Sequence, residues 1–232
     1  MRPSIVSKKF PLTPNFRAVV LDMDGVMVDS EQLWREVEGP VFESLLVGWT
    51  PDLFHEIVGM GVEDVYHHFA KNYGLKKTKK EFLASCERVA LEIYDHRASL
   101  AEGLVEFLRE MKGMGVPLGL ASSSPKRWIL RVLKRFDLEA YFASVLSAEE
   151  VGNKTKPDPE IYIQSAKNLS IQPREGLAIE DSTVGIAAAK NAGFFCLGFR
   201  NGSNQAQNFS RADGEFFHFA EIRSCFPNPK AN

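Results

Sequence analysis

Two aspartates, Asp22 and Asp24, stand one residue apart at the end of a short apolar run and are the first candidates for chemistry in this chain. Two carboxylates so close repel each other, which disfavours the ionised pair unless a cation or a shared proton compensates. Gly25 follows directly and allows a sharp turn or a close approach of the backbone to a ligand. Standing alone, the pattern is better explained as an Asp-rich turn. The rest of the chain decides between a turn and a catalytic strand end.

Polar residues also follow three later apolar runs, and these complement the two acids. They are Ser122 to Ser124 after the second run, Lys156 after the third, and Glu180 and Asp181 after the fourth. Taken singly, each has an ordinary explanation, because serine caps helices, loop lysines are solvated and acids favour a helix N-terminus. Taken together, they suit a Mg²⁺ ion, which prefers hard oxygen ligands and would relieve the repulsion among the acids. Lysine, serine and the metal would then offset the charge of a phosphoryl group.

A parallel sheet is needed to bring these residues together. Ala18 to Leu21 has the small and branched apolar residues of a strand buried on both faces. From Leu100 onward, helical patterns alternate with short apolar runs, which indicates parallel crossovers. Ligands bind outside the carboxyl ends of such strands, where the candidate residues stand. The predicted strands are residues 18–21, 116–121, 142–146, 176–179 and 194–198, with a last edge strand at 215–219.

Between the first strand and residue 100 the pattern is helical throughout. Ser30 is the expected N-cap of a helix that runs to Leu45, and residues 62–73 and 82–93 form two more amphipathic stripes. We therefore predict an α/β fold, a doubly wound parallel sheet with an inserted α-helical cap domain. The expected parts are an N-terminal arm at 1–15, a core domain at 16–30 and 99–232, and the cap domain at 31–98.

The composition argues against several classes of partner. The 232 residues carry a formal charge of −2, so the chain lacks the basic excess that nucleic acids or anionic membranes attract. No apolar run approaches the roughly 20 residues that span a bilayer. The three cysteines are odd in number and far apart, which favours reduced packing residues over disulfides or a zinc site. We expect a cytoplasmic monomer that binds neither nucleic acid nor membranes.

The motifs together resemble the haloacid dehalogenase (HAD) superfamily of phosphohydrolases, in the β-phosphoglucomutase-like branch with a helical C1 cap inserted after the first motif. The resemblance runs from Phe16 to about Gly202. It implies a Rossmann-like core under the cap. The four motifs read Val19-Val20-Leu21-Asp22-Met23-Asp24-Gly25-Val26-Met27-Val28-Asp29, Leu120-Ala121-Ser122-Ser123-Ser124, Lys156-Pro157-Asp158-Pro159-Glu160-Ile161-Tyr162 and Ile179-Glu180-Asp181-Ser182-Thr183-Val184-Gly185-Ile186-Ala187-Ala188-Ala189.

The resemblance implies a role for each candidate residue. Asp22 resembles the nucleophile that becomes an aspartyl phosphate, and Asp24 resembles the general acid and base. Lys156 resembles the lysine that neutralises charge on Asp22 and the phosphoryl group, whereas Lys154 lacks the following proline of the family pattern. The implied substrate-binding residues are Gly25, Ser122, Ser123 and Lys156. The implied Mg²⁺ ligands are the Asp22 side chain, the Asp24 backbone carbonyl and Asp181, with Glu180 as a near ligand.

Two departures from the sugar-phosphate mutases of this branch favour hydrolysis. In those relatives a histidine follows the first motif and a cap arginine grips a second phosphate; here Trp34 stands nearest the first place, and the cap loop at 58–64 carries acids. Glu31, Trp34 and the loop at 59–61 are candidates to line the cap side of the pocket, and Trp34 fits the core equally well. We predict a Mg²⁺-dependent phosphatase acting on a small phosphorylated metabolite, a sugar or polyol phosphate. The alternatives are a sugar phosphomutase of the β-phosphoglucomutase type and, more remotely, a non-catalytic binding protein.

Overall fold

A computed structural model describes residues 16–57, 60–222 and 226. Within these ranges, six strands form one parallel sheet in the order β3-β2-β1-β4-β5-β6. The predicted arm at 1–15, the loop residues Val58 and Gly59, and Cys225 lie outside the described residues. The strands are β1 (Ala18–Leu21), β2 (Leu118–Ser122), β3 (Phe142–Ser147), β4 (Gly176–Glu180), β5 (Phe195–Phe199) and β6 (Gly214–Phe216).

The strand β1 lies at the centre of the sheet, which explains its uninterrupted apolar sequence. All four of its residues are buried, and Leu21 pairs with Leu120 of β2 on one side and with Ile179 of β4 on the other. The chain builds the sheet outward from β1 in both directions, so a crevice opens at the carboxyl ends of β1, β2 and β4. The doubly wound α/β fold is confirmed, and the polar residues that follow these strands meet at one edge.

Helices cover both faces of the sheet and fill the segment between β1 and β2. The last predicted strand is wrong in its second half, because β6 ends at Phe216 and Phe219 begins a helix. Phe219 packs its ring 5.3 Å from the rings of Phe107 and Phe199, so burial of the aromatic side chain decides the local structure. The helices are α1 (Glu31–Leu45), α2 (Phe54–Ile57), α3 (Val62–Asn72), α4 (Lys79–Glu92), α5 (Leu104–Gly113), α6 (Lys126–Arg135), α7 (Glu160–Asn168), α8 (Thr183–Ala192) and α9 (Phe219–Ile222).

The helical segment from α1 to a π-helical turn at Ile93–Arg97 is held together by aromatic side chains. Phe42 of α1 stacks on Phe82 of α4 with ring centroids 5.9 Å apart and meets the edge of Phe69 of α3 at 5.0 Å. These rings are fully buried, so their removal from water stabilises the packing of the helices on one another. None of the helices in the described ranges is both long and apolar enough to cross a membrane.

The two connections between this helical segment and the sheet run side by side. The amide of Asp29 donates to the carbonyl of Ser99 at 2.9 Å, and the amide of Ala101 donates to the carbonyl of Met27 at 3.0 Å. Val28 and Leu100 form an antiparallel bridge between them. Because the first connection leads from the end of β1 directly into α1, the first turn of α1 lies beside the carboxylates that follow that strand.

Candidate active site

Three buried carboxylates meet where β1 and β4 end. Asp22 follows β1, Glu180 is the last residue of β4, and Asp181 comes next. One oxygen of each carboxylate lies within 4.8 Å of the others. Burial raises the pKa of Asp22 to about 8, against the opposing charge of Lys156, and burial raises the pKa of Asp181 well above its usual range. The cluster therefore favours a bound cation or proton.

The residue that compensates this charge is Lys156. Its Nζ donates to Asp22 Oδ1 at 2.6 Å and to the carbonyl oxygen of Ala121 at 3.0 Å, and it lies 2.7 Å from Glu180 Oε1. Burial by itself lowers the pKa of Lys156, but the charges of Asp22 and Glu180 outweigh burial and raise it. Lys154, in contrast, is exposed and pairs with Glu160 at 3.3 Å. Of the two candidate lysines, only Lys156 reaches the cluster.

Asp24 is held by three hydroxyl groups. Its Oδ1 accepts from Ser30 Oγ at 2.7 Å and from the Tyr94 hydroxyl at 2.6 Å, and its Oδ2 accepts from Ser124 Oγ at 2.8 Å. Ser30 precedes α1 as expected, but its side chain does not cap the helix. Its hydroxyl is used to orient Asp24 instead. Because Tyr94 belongs to the helical segment, this contact places that segment directly over Asp24.

The three serines at the end of β2 differ in their hydrogen bonds. Ser122 Oγ accepts from the Ser124 amide at 3.0 Å, and Ser123 Oγ is shielded from solvent with no hydrogen-bond partner among the described residues. At the start of the next helix, the Lys126 amide donates to Glu149 Oε2 at 3.0 Å. An anion at this strand end would therefore meet serine groups rather than the first amide of α6.

The donor set fits a magnesium ion. Carboxylate oxygens are the hard ligands that Mg²⁺ prefers, and Asp22, Glu180 and Asp181 supply them. Glu180 Oε2 is buried without a hydrogen-bond partner among the described groups, although Oε1 accepts from the Tyr162 hydroxyl. Asp24 was expected to contribute its backbone carbonyl. Its side chain points to the hydroxyls described above.

Two glycines of the motifs make space for these carboxylates. Gly25 has φ +72°, and a Cβ atom there would lie 2.0 Å from Asp181 Oδ2. A Cβ atom at Gly185 would lie 1.9 Å from Glu180 Oε2. Asn201 links Gly25 to Asp181, because its Nδ2 lies 2.9 Å from both the Gly25 carbonyl oxygen and Asp181 Oδ2. The expected contact of Gly25 with substrate stays a prediction.

A pocket extends from the carboxylates to the helical segment. Glu31, Trp34 and Glu38 of α1 line it, and so does Met60 of the predicted cap loop. Trp34 is therefore a pocket residue that also packs its ring 5.7 Å from that of Trp128. The helical segment also contributes Phe54, Ile57, Val62 and Val65, whereas Pro125 and Trp128 line the pocket from the start of α6.

Sequence reasoning missed several of these residues. Tyr94 and Glu38 carry no local signal, because both lie in helical stretches whose spacing only reports amphipathicity. Asn201 could have been found, since it follows β5 as the other site residues follow their strands. The structure brings Asp22, Asp24, Lys156 and the serine cluster together as expected, while their catalytic roles stay predictions.

Glu38 predicts a measurable pH dependence of stability. It is only 7% exposed, and burial raises its pKa from an ordinary 4.5 to about 8, with the Cys86 thiol donating to Oε1 at 3.5 Å. Between these pH values the unfolded chain releases the proton and the folded protein keeps it, so the free energy of unfolding falls as pH rises, by up to about 1.4 kcal/mol per pH unit. Glu38→Gln has no titrating group at this position, so its free energy of unfolding should not fall in this way. Urea unfolding should therefore show the variant becoming more stable relative to wild type between pH 4.5 and pH 8. An equal difference in the free energy of unfolding between variant and wild type at both pH values would contradict the raised pKa of Glu38.

Comparison with known proteins agrees with the motifs. The haloacid dehalogenase-like hydrolase family matches residues 19–199. A phosphorylated carbohydrates phosphatase of Thermotoga maritima is 34% identical over 176 residues, which cover 76% of this chain and 81% of the relative. Hexitol phosphatase B of Escherichia coli is 32% identical over 180 residues, which cover 75% and 79%.

A solved structure agrees with the fold. CbbY from Rhodobacter sphaeroides in complex with phosphate superposes with a TM-score of 0.79 at 22% identity, and the match covers 89% of this chain and 96% of that one. At this identity the likeness supports the fold alone. The family match spans more than half of the sequence, and its motifs stand at the ends of neighbouring strands of one sheet. The chain therefore belongs to the haloacid dehalogenase-like hydrolases.

Proposed function

We propose that this protein is a Mg²⁺-dependent phosphatase that hydrolyses a small phosphomonoester, a sugar or polyol phosphate. The observation that carries the proposal is the buried contact of Lys156 with Asp22 and Glu180 beside Asp181, at the inner end of a pocket. A phosphoryl group needs this combination of nucleophile and compensating charge. The relatives named for phosphorylated carbohydrates and hexitols support the substrate class.

In the proposed reaction, Asp22 is the nucleophile and Asp24 is the general acid and base. An oxygen of Asp22 attacks phosphorus, and the bond from phosphorus to the leaving oxygen breaks. Asp24 donates a proton to that oxygen, which leaves as an alcohol. Water then attacks the aspartyl phosphate while Asp24 takes up its proton, which releases phosphate and restores Asp22. Tyr94, Ser30 and Ser124 orient the Asp24 carboxylate through its three hydrogen bonds.

Other residues of the site would bind the phosphoryl group and the metal. Ser122, Ser123 and Lys156 contact phosphate oxygens in this proposal, with Gly25 close to them. When bound, Mg²⁺ neutralises charge on the phosphoryl group. Its ligands would be Asp22, Asp181 and the Asp24 backbone carbonyl, with Glu180 nearby.

The helical segment at 31–98 would act as a cap over a core formed by 16–30 and 99–232. Its Asp64 accepts a hydrogen bond from Thr155, the neighbour of Lys156, and its Glu87 accepts from the Trp128 indole at 2.8 Å. These contacts close the pocket above the carboxylates and exclude bulk water during catalysis. A monomeric state and a cytoplasmic location remain predictions.

Phosphate release separates hydrolysis from the alternatives. Purified protein with Mg²⁺ is expected to release phosphate from a panel of phosphorylated metabolites and to lose this activity on metal chelation, with recovery when Mg²⁺ is restored. A sugar 1-phosphate with a trace of bisphosphate should also yield phosphate. Isomerisation without phosphate release would identify a mutase, and inactivity across the whole panel would favour a non-catalytic binding protein.

A further inference from the structure

The face of α1 that lines the pocket carries a carboxylate far from the phosphoryl site. Glu31, Trp34 and Glu38 follow the spacing of one helical face and all three line the pocket. Ser30, just before the helix, bonds to Asp24, so the first turn of α1 lies at the reacting groups. At about 1.5 Å of rise per residue, Glu38 is about 10 Å further along the helix axis than Glu31.

The electrostatic environments of the two acids agree with this order. The negative charges of Asp24 and Asp29 act on Glu31, and the charge of Glu31 acts on Asp181. Of these acids, only Glu31 acts electrostatically on Glu38. Glu38 therefore marks the end of the pocket that is remote from phosphorus.

Glu38 has hydrogen-bonding capacity to spare at that end. The residue is more than nine-tenths buried, and the weak thiol donor of Cys86 meets Oε1. No hydrogen bond from another described residue reaches Oε2. The side chain lines the pocket, so a ligand hydroxyl there would supply a hydrogen bond to Oε2.

The remaining walls of the pocket argue for a neutral, hydroxylated leaving group. Phe54, Ile57 and Trp128 offer apolar surface against which the carbon chain of a polyol packs. Among the described residues that line the pocket, Lys156 is the only cation, and it is already engaged by Asp22 and Glu180. A second phosphate or a carboxylate at the remote end would face Glu38 without a counter-charge.

We propose that Glu38 is a specificity-determining residue that binds a hydroxyl of a pentitol or hexitol chain at the end remote from the phosphate. The inference rests on the proposed phosphatase function. A leaving group as short as glycerol stops before Glu38, so its phosphate ester gains nothing from this residue. Selection by chain length follows from the distance between Glu31 and Glu38.

The test compares kcat/KM for sorbitol phosphate and glycerol phosphate in wild type, Glu38→Leu and Glu38→Gln. Wild type should prefer the hexitol ester, and Glu38→Leu should reduce this preference by up to about tenfold, because the hydrogen bond between the polyol hydroxyl and the buried Glu38 carboxyl group is lost. The hexitol preference of Glu38→Gln, which keeps an acceptor, should lie between those of wild type and Glu38→Leu. Glu43→Gln, an exposed change on the same helix, should leave the preference at the wild-type ratio. Thermal unfolding of each variant separates loss of selectivity from loss of fold.

Three outcomes would overturn the inference. An unchanged ratio in Glu38→Leu, with wild type active, would contradict the role of Glu38 and leave the phosphatase function standing. A wild-type preference for phosphorylated glucosamine that Glu38→Gln removes would identify a cationic leaving group instead. Inactivity of wild type on every ester would remove the phosphatase function and the inference with it.

Discussion

Asp22→Asn is expected to abolish turnover while leaving the protein folded. The amide lacks the negative charge of the nucleophile, so kcat should fall by at least about four orders of magnitude. Stability should be equal or higher, because burial raises the pKa of Asp22 and shows that its ionised form is costly in the folded state. Phosphate release and urea unfolding, measured on the same preparations, report the two effects separately.

Asp29→Asn is the matched control for this change. Asp29 lies in the same segment, but its side chain is exposed. The control should retain near wild-type activity and stability. Wild-type-like turnover in Asp22→Asn would contradict the nucleophile assignment, and a collapse of the fold in that variant would contradict the argument from buried charge.

Lys156→Ala is expected to remove both activity and stability. Lys156 is 4% exposed and is the cation that contacts Asp22 and Glu180, so its loss leaves two buried carboxylates without a counter-charge. Breaking a buried ion pair by removing one partner costs about 3–5 kcal/mol. Turnover should fall by at least about three orders of magnitude, because charge on the phosphoryl group is no longer offset. Urea unfolding and phosphate release at fixed Mg²⁺ measure these losses.

Lys154→Ala provides the comparison within the same loop. Lys154 is exposed and its pair with Glu160 is a surface ion pair, which contributes about 0–1 kcal/mol at most. Its substitution should leave activity near that of wild type. Greater damage from Lys154→Ala than from Lys156→Ala would show that the other lysine serves the reaction.

Much of the sheet could be predicted because its signals are local. The apolar run at 18–21 became β1 within its predicted bounds, and Gly193 ends α8 with φ +91°, as expected of a helix stop. Prediction was poorest near the C-terminus. Phe219 was assigned to a strand, although its ring is buried against Phe107 and Phe199 as the first residue of a helix.

The sequence by itself determined which residues stand at the ends of the central strands, and therefore that Asp22, Asp24, Ser122 and Asp181 would gather at one edge of the sheet. This follows from short-range patterns, since parallel strands place their carboxyl ends together. Lys156 lies in the loop between β3 and α7, and the structure shows that this loop brings it to the same edge. Only the tertiary structure decided that the Tyr94 hydroxyl bonds to Asp24 and that Glu38 ends the pocket. Tyr94 is 70 residues from Asp24 in the chain, and their contact depends on how the helical segment packs over the sheet. No local pattern encodes that packing, because each helix reports only which of its faces is apolar.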